Sequence, residues 1–288
     1  IAERAYQQAA AFARTRVQSK DDGSPQPQSV SIVHHADVRR MLMTMRAQIE
    51  AMRALGYYTA AGIDGSLKTA DREAARKQQD RVDLLIPIVK AWFTDLGNEI
   101  ASTGVQIHGG MGFIEETGAA QHLRDARILP IYEGTNGIQA LDLVGRKLPM
   151  KGGRAAQRLL GLMSAFIAEN KANEKMKEFV EPLEKALGRV QDAALFLMQN
   201  AMKNPDEAGA AATDLLRLMA LTAMTYMWNR IAIAAHKGLA AGNDNAFYEA
   251  KLATARFYIA RVLPQSTALN HQIKAGAATL MAIPAEAF

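Results

Sequence analysis

Apolar residues recur at helical spacing along most of this chain, and the breaks between those stripes set out its organisation. Val38, Met41, Leu42, Met45, Ile49, Met52 and Leu55 follow an i, i+3, i+4, i+7 pattern, which predicts one long helix. Val82, Leu85, Ile86, Val89, Phe93, Leu96 and Ile100 predict a second, led into by a charged region from Lys68 to Asp80. On that reading Pro87 falls in the first turns, where a missing N–H is tolerated or bends the helix. Before both, a first helix is predicted up to about Ser19, and Asp21 to Gln28 (DDGSPQPQ) reads as a loop.

Past the second stripe, the pattern predicts a helix ending near Gln106, a glycine turn, a short connecting helix and a new helix after Thr135. Leu148 to Gly153 then reads as a linker. Four more helical stripes follow. Leu159, Leu160, Met163, Phe166 and Ile167 mark one, and Met176 through Met198 another. The third runs from about Asp206 to Leu239 and the fourth from about Ala246 to Leu263, with breaks at Asn204-Pro205-Asp206 and Ala241 to Asn245. A second antiparallel bundle is the simplest architecture for them. Arg217 and Arg230 interrupt the richest apolar segment, Leu215 to Ala235, so its Met219, Met224, Met227 and Trp228 are expected in a core and not in a membrane.

Composition sharpens the fold class. With 288 residues and 49% hydrophobic content a sizeable core can form, while aromatics at 6% favour helices over sheets. The absence of cysteine excludes disulfides, thiolate metal sites and a cysteine nucleophile, and is compatible with a cytoplasmic protein. A net charge of +5 suits anionic diphosphates and a plain solvated surface equally. The chain opens Ile1-Ala2-Glu3-Arg4 without an initiator Met, signal peptide or cap, as expected for part of a longer protein. Neither the adjacent His34 and His35 nor the isolated His236 and His271 has the spacing of a metal site; surface or capping roles are expected for the pair.

Candidate chemistry concentrates between Gln106 and Arg146. Gly109, Gly110 and Gly112 permit positive φ and close backbone approach, whether for a plain turn or for a phosphate cradle. Thr135 or Asn136 can cap the following helix, which puts Glu133 just before a helix N-terminus. A carboxylate there is either a general base or an ordinary loop acid.

Taken together, these residues resemble the acyl-CoA dehydrogenase family. Gln106-Ile107-His108-Gly109-Gly110-Met111-Gly112-Phe113 is similar to its Gln-x-x-Gly-Gly-x-Gly-aromatic segment. Arg124-Asp125-Ala126-Arg127, then Ile131 to Gln139, is similar to its catalytic loop and last core helix. His34 to Leu42 resembles the extended bacterial branch that includes 3-methylmercaptopropionyl-CoA dehydrogenases. The resemblance implies an all-α fold: the C-terminal four-helix bundle of the family over residues 1–148, its first helix truncated, and an additional helical bundle over 149–288.

It also implies a function. Family members remove the α and β hydrogens of an acyl-CoA thioester, giving trans-2-enoyl-CoA and reduced FAD. Glu133 corresponds to the base that takes the α proton, and its N–H would help polarise the thioester carbonyl. Arg16 and Gln18 match the Arg-x-Gln pair that reaches the FAD diphosphate of a neighbouring subunit; Gln106, Gly109 and Gly110 match the segment on that cofactor's adenosine diphosphate half. Thr135 lies near the chain's own FAD by the same resemblance. Two departures stand out: Ser19-Lys20 replaces the usual Phe-Gly, and Gly137 replaces a polar residue. A homodimer or dimer of dimers follows from shared sites, with electron-transferring flavoprotein as electron acceptor, and the 288-residue chain alone is expected to be inactive. The competing expectation is a non-oxidative binding protein on this scaffold, such as the DNA-binding alkylation-response homologue. Lys and Arg are interspersed with acids along the second half, without the basic block that nucleic-acid binding would use.

Overall fold

The computed structural model describes residues 1–20, 23, 25 and 28–288. Most of the predicted Asp21 to Gln28 loop therefore lies outside the described residues. Among the described residues the fold is all-α but for one small hairpin. The chain divides into two compact units, one of residues 1–50 and 93–133, the other of residues 51–92 and 134–288.

The first unit begins with α1 (Ala2–Thr15), which buries an alanine face of Ala5, Ala9, Ala10 and Ala13. The helix stops earlier than the periodicity predicts. Arg16 turns to extended backbone, and Val17–Lys20 (β1) pairs antiparallel with Ser29–Ser31 (β2), Val17 opposite Ser31. The expectation of helix to Ser19 is corrected here: the ladder and an Ile32 N–H donated to the Arg16 carbonyl (2.8 Å) supply the backbone bonds that another helical turn would have supplied. The same unit takes the first part of α2 (Ala36–Lys68) and the last part of α3 (Arg72–His108). A four-residue turn, α4 (Gly110–Phe113), and α5 (Ala119–Arg127) complete it. Ala5, Ala101 and Ala126 form a small core in which side chains no larger than methyl let α1, α3 and α5 approach closely. Asn98 Nδ2 donates to the Ala126 carbonyl at 3.0 Å, tying α3 to the last turn of α5.

In the second unit α3 starts well before its apolar stripe. The Asp71 carboxylate accepts from the N–H of Glu73 at 2.9 Å and of Ala74 at 3.4 Å, an N-cap that launches the helix through the charged region. Pro87 is accordingly interior to α3, not in its first turns. Close α2–α3 packing relies on Gly62, where a Cβ would fall 2.8 Å from Val82 Cγ2. After α6 (Asn136–Asp142) the chain passes through a widened helical turn, Leu143–Lys147, into α7 (Arg154–Asn170), α8 (Lys177–Asn200) and α9 (Asp206–Ala240). Next come α10 (Asn245–Phe257), another widened turn at Tyr258–Val262, and α11 (Gln265–Lys274), an additional helix that the four predicted stripes did not resolve.

Helix α9 is the axis of this unit. Leu218 through Asn229 is buried without interruption, because α6, α8, α10 and α11 pack around it. Met219, Met224, Met227 and Trp228 are core residues. Three polar side chains of this core bond internally: Thr222 and Thr225 donate to the carbonyls one turn back, and Asn229 Nδ2 donates to the Phe179 carbonyl of α8 at 3.0 Å. Asp80, fully buried, accepts from Lys151, Arg154 and Arg158, which anchors the start of α7 on α3. Among the described residues no helix is long and apolar enough to cross a membrane, and no group of His, Asp and Glu has the arrangement of a metal site.

Candidate functional site

Five of the residues singled out in the sequence meet in the first unit. Arg16, Gln18, Gln106, Gly109 and Gly110 line one open cleft of about 450 Å³, with Phe12, Ile32, Ile107, His108 and Met111 completing its walls. The polar members are exposed and the supporting ones mostly buried. Arg16 Nη2 lies 3.5 Å from Gln18 Oε1, so the guanidinium and the amide act on the same region.

The geometry of the cleft is fixed by α1, the hairpin and the end of α3. Helix α3 ends at His108, which is buried, stacks on Phe12 with ring centroids 4.5 Å apart, and donates Nδ1–H to the Gly104 carbonyl at 2.7 Å. Gly109 then adopts φ 58°, ψ −140°, a conformation that a Cβ strongly disfavours, and reverses the chain. Gly112 is required for another reason: a Cβ there would sit 2.2 Å from the Val105 carbonyl oxygen. A Cβ on Gly110 would meet nothing within 4 Å. No protein contact accounts for glycine at that position.

Glu133 is exposed and ends the same unit, outside the cleft lining. Its backbone is left-handed (φ 56°), uncommon for a residue with a side chain and costing about 1–3 kcal/mol. Upstream, the N–H groups of Ile131 and Tyr132 return to the Ile128 carbonyl, closing α5 with a tight turn. The Arg124-Asp125-Ala126-Arg127 run has divided duties: Ala126 is core, Arg124 pairs with Glu115 at 2.7 Å, and Asp125 accepts from Gln121.

Thr135 lies in the second unit, where its Oγ1 accepts from the Ile138 N–H at 3.3 Å, making it the N-cap of α6. The turn before it is clamped from α3. Lys90 Nζ donates to the Gly134 carbonyl at 2.7 Å and to Asn136 Oδ1 at 2.9 Å, while Asn136 Nδ2 donates to the Ala91 carbonyl at 3.0 Å. Sequence reasoning missed this clamp, since a lysine in a helical stripe gives no sign of its partner 44 residues on. It also missed Phe12, His108 and Met111 as cleft walls; only the contiguity of His108 and Met111 with the glycine turn signalled them. His34 and His35 differ: His34 is exposed, and His35 Nε2 donates to the Gln18 carbonyl at 2.8 Å.

Comparison with known proteins places this arrangement. The family described as "Acyl-CoA dehydrogenase, C-terminal domain" matches residues 1–148, and "Acetyl-CoA dehydrogenase C-terminal like" matches residues 159–284. The chain is 43% identical to 3-methylmercaptopropionyl-CoA dehydrogenase of Ruegeria pomeroyi over 95% of its own length and 46% of that protein's. It is 32% identical to a butyryl-CoA dehydrogenase of Syntrophomonas wolfei over 98% of its length and 47% of the relative's. Among solved structures, an acyl-CoA dehydrogenase from Bacillus anthracis complexed with FAD shares the fold at a TM-score of 0.72 and 19% identity, covering 94% of this chain and 46% of that one. The chain thus spans about half the length of the curated relatives it matches.

Proposed function

The chain belongs to the acyl-CoA dehydrogenase family, and from that premise we propose that it is the C-terminal part of an FAD-dependent acyl-CoA dehydrogenase producing a trans-2-enoyl-CoA. Residues 1–148 form the family's C-terminal α-helical domain in this reading, and 149–288 an additional helical domain. Glu133 is the base. The observation that carries the assignment is its exposed carboxylate on left-handed backbone, between the tight turn after α5 and the capped start of α6.

The cleft residues fit FAD. A guanidinium, two carboxamides and an open glycine backbone suit an anionic diphosphate, and the planar fork of Arg16 matches phosphate oxygens. When bound, FAD supplies an acceptor for the β hydrogen as hydride. Arg16, Gln18, Gln106, Gly109 and Gly110 hold the cofactor of a neighbouring subunit, and Thr135 stands by the chain's own. Glu133 removes the α proton: a carboxylate accepts a proton without acting as a strong nucleophile. A homodimer or dimer of dimers, electron-transferring flavoprotein as acceptor and a cytoplasmic setting complete the proposal. The identity with the methylmercaptopropionyl relative supports including methylthio-substituted acyl-CoAs among the substrates tried.

The test is stopped-flow reduction of the flavin in the full-length protein by a saturating acyl-CoA. Glu133→Gln should slow it by at least about 10²-fold, the low end for loss of a general base. Reduction at a near-normal rate would remove Glu133 from the role of base.

A further inference from the structure

The hairpin that carries Gln18 is irregular, and a histidine side chain bonds to the irregularity. Register between the strands shifts between Val17 and Lys20, and Ser19 takes φ 64°, left-handed backbone in a residue with a Cβ. Such a bulge re-aims side chains at the cost of a ladder hydrogen bond. Here the Gln18 carbonyl accepts from His35 Nε2 at 2.8 Å. A carbonyl can only accept, so the imidazole carries its proton on Nε2. His35 is itself fixed, its N–H donating to the Ile32 carbonyl at 3.1 Å where the chain turns into α2.

We propose that His35 is a positioning residue for the cofactor grip: by donating to the Gln18 carbonyl it holds the bulge that aims Gln18, and beside it Arg16, into the cleft. This rests on the reading of the cleft as an FAD diphosphate site. It explains why His35 and not His34 faces the hairpin. The mechanism is pre-organisation. Arg16 is held at its carbonyl by the Ile32 N–H, Val17 by pairing with Ser31 and Lys20 by pairing with Ser29, and the shifted register between Val17 and Lys20 leaves the His35 donor to fix Gln18.

The experiment is titration of full-length apoprotein with FAD, followed by flavin fluorescence, with circular dichroism to establish folding. His35→Ala should weaken binding about tenfold, the range for losing one ordered hydrogen bond with its donor. His35→Gln, whose Nε2 reaches the same carbonyl, should return affinity to within about threefold of wild type. In an Arg16→Met/Gln18→Ala background, His35→Ala should cost less than about twofold, because no grip remains to be aimed. Equal affinity of wild type and His35→Ala, or a folded His35→Gln as weak as His35→Ala, overturns the proposal. Should His35→Ala not fold, a folded His35→Gln decides alone: affinity within threefold supports the role and a tenfold loss refutes it. Arg16→Met separates the two readings, since unchanged FAD affinity there refutes the cleft assignment itself, whereas a loss there with none in His35→Ala refutes only the positioning role.

Discussion

In the unit of residues 1–50 and 93–133, Arg16, Gln18 and Gln106 face an open cleft; in the other unit Asp80 is fully buried against Lys151, Arg154 and Arg158. Both are clusters of polar residues drawn from distant parts of the chain, and their chemistry points in opposite directions. Burial alone would raise the Asp80 pKa, but the hydrogen bonds from Arg154, Lys151 and Arg158 outweigh it and hold the carboxyl below the ordinary range. That cluster is satisfied from within the protein, so its role is to fasten α7 to α3. The cleft leaves a guanidinium and glycine backbone presented outward, with Gly110 facing open space. A polar cluster closed on itself stabilises; one left open can receive a ligand.

The strongest way to test that contrast is within the glycine turn. Gly112→Ala should destabilise the protein by about 3 kcal/mol, the upper range for overpacking, because its Cβ would press on the Val105 carbonyl oxygen. Gly110→Ala, two residues away, should leave urea stability within about 1 kcal/mol of wild type while weakening FAD binding. Comparable loss of stability in both would show that the whole turn is a packing device and dissolve the distinction.

Next in size is Asp80→Asn. Chemical denaturation should show a loss of about 2–3 kcal/mol, less than a fully buried pair would lose because Lys151 and Arg154 reach solvent. Flavin affinity should not change. A variant of normal stability would mean that the buried cluster contributes specificity and not stability.

The smallest effect is the response to acid. In the first unit, burial lowers the pKa of His122, whose Nε2 lies 2.9 Å from Gln8 Oε1. The unfolded imidazole therefore binds its proton at higher pH than the folded one. The stability it confers is complete above the ordinary histidine pKa and drains as pH falls through the lowered folded value. Asp80 has the same sign, with its contribution lost only below the ordinary carboxylate range. Protection against hydrogen exchange, after correction for the pH dependence of the intrinsic rate, should accordingly fall in α1 and α5 between about pH 7 and pH 5, and where α7 meets α3 only below the carboxylate range. His122→Gln should remove the early change; a fall in protection that is uniform across both units would contradict it.

Much of the fold could be read from periodicity. The stripe from Val38 to Leu55 and the patterns of α7 and α9 fall inside observed helices, while that of α8 starts one residue early at Met176 and that of α10 runs on through the widened turn to Leu263, since one apolar face per helix is what a bundle demands. The misses are instructive. The charged start of α3 carries no apolar stripe because its helix is set by the Asp71 cap and its burial by ion pairing at Asp80. Strand β1 reads as the end of α1 because Arg16 to Ser19 has no breaker, and pairing with a segment further on decides its conformation. Of the site, a cap at Thr135 or Asn136 was legible from local sequence, and the structure puts it at Thr135. The convergence of Arg16, Gln18, Gln106, Gly109 and Gly110 was available only from resemblance, since nothing local links residue 16 to residue 106.

The sequence by itself determined the helical class, the glycine turn and a cap at Thr135 or Asn136, because propensity, periodicity and φ restrictions act over a few residues. Tertiary structure alone decided that Arg16 and Gln106 share a cleft, that Lys90 clamps Gly134, that Asp80 is buried and that His35 supports Gln18. Those partners stand from 17 to about 90 residues apart, and only the packing of helices and the pairing of the hairpin bring them together, His35 to 2.8 Å from the Gln18 carbonyl and Lys90 to 2.7 Å from the Gly134 carbonyl.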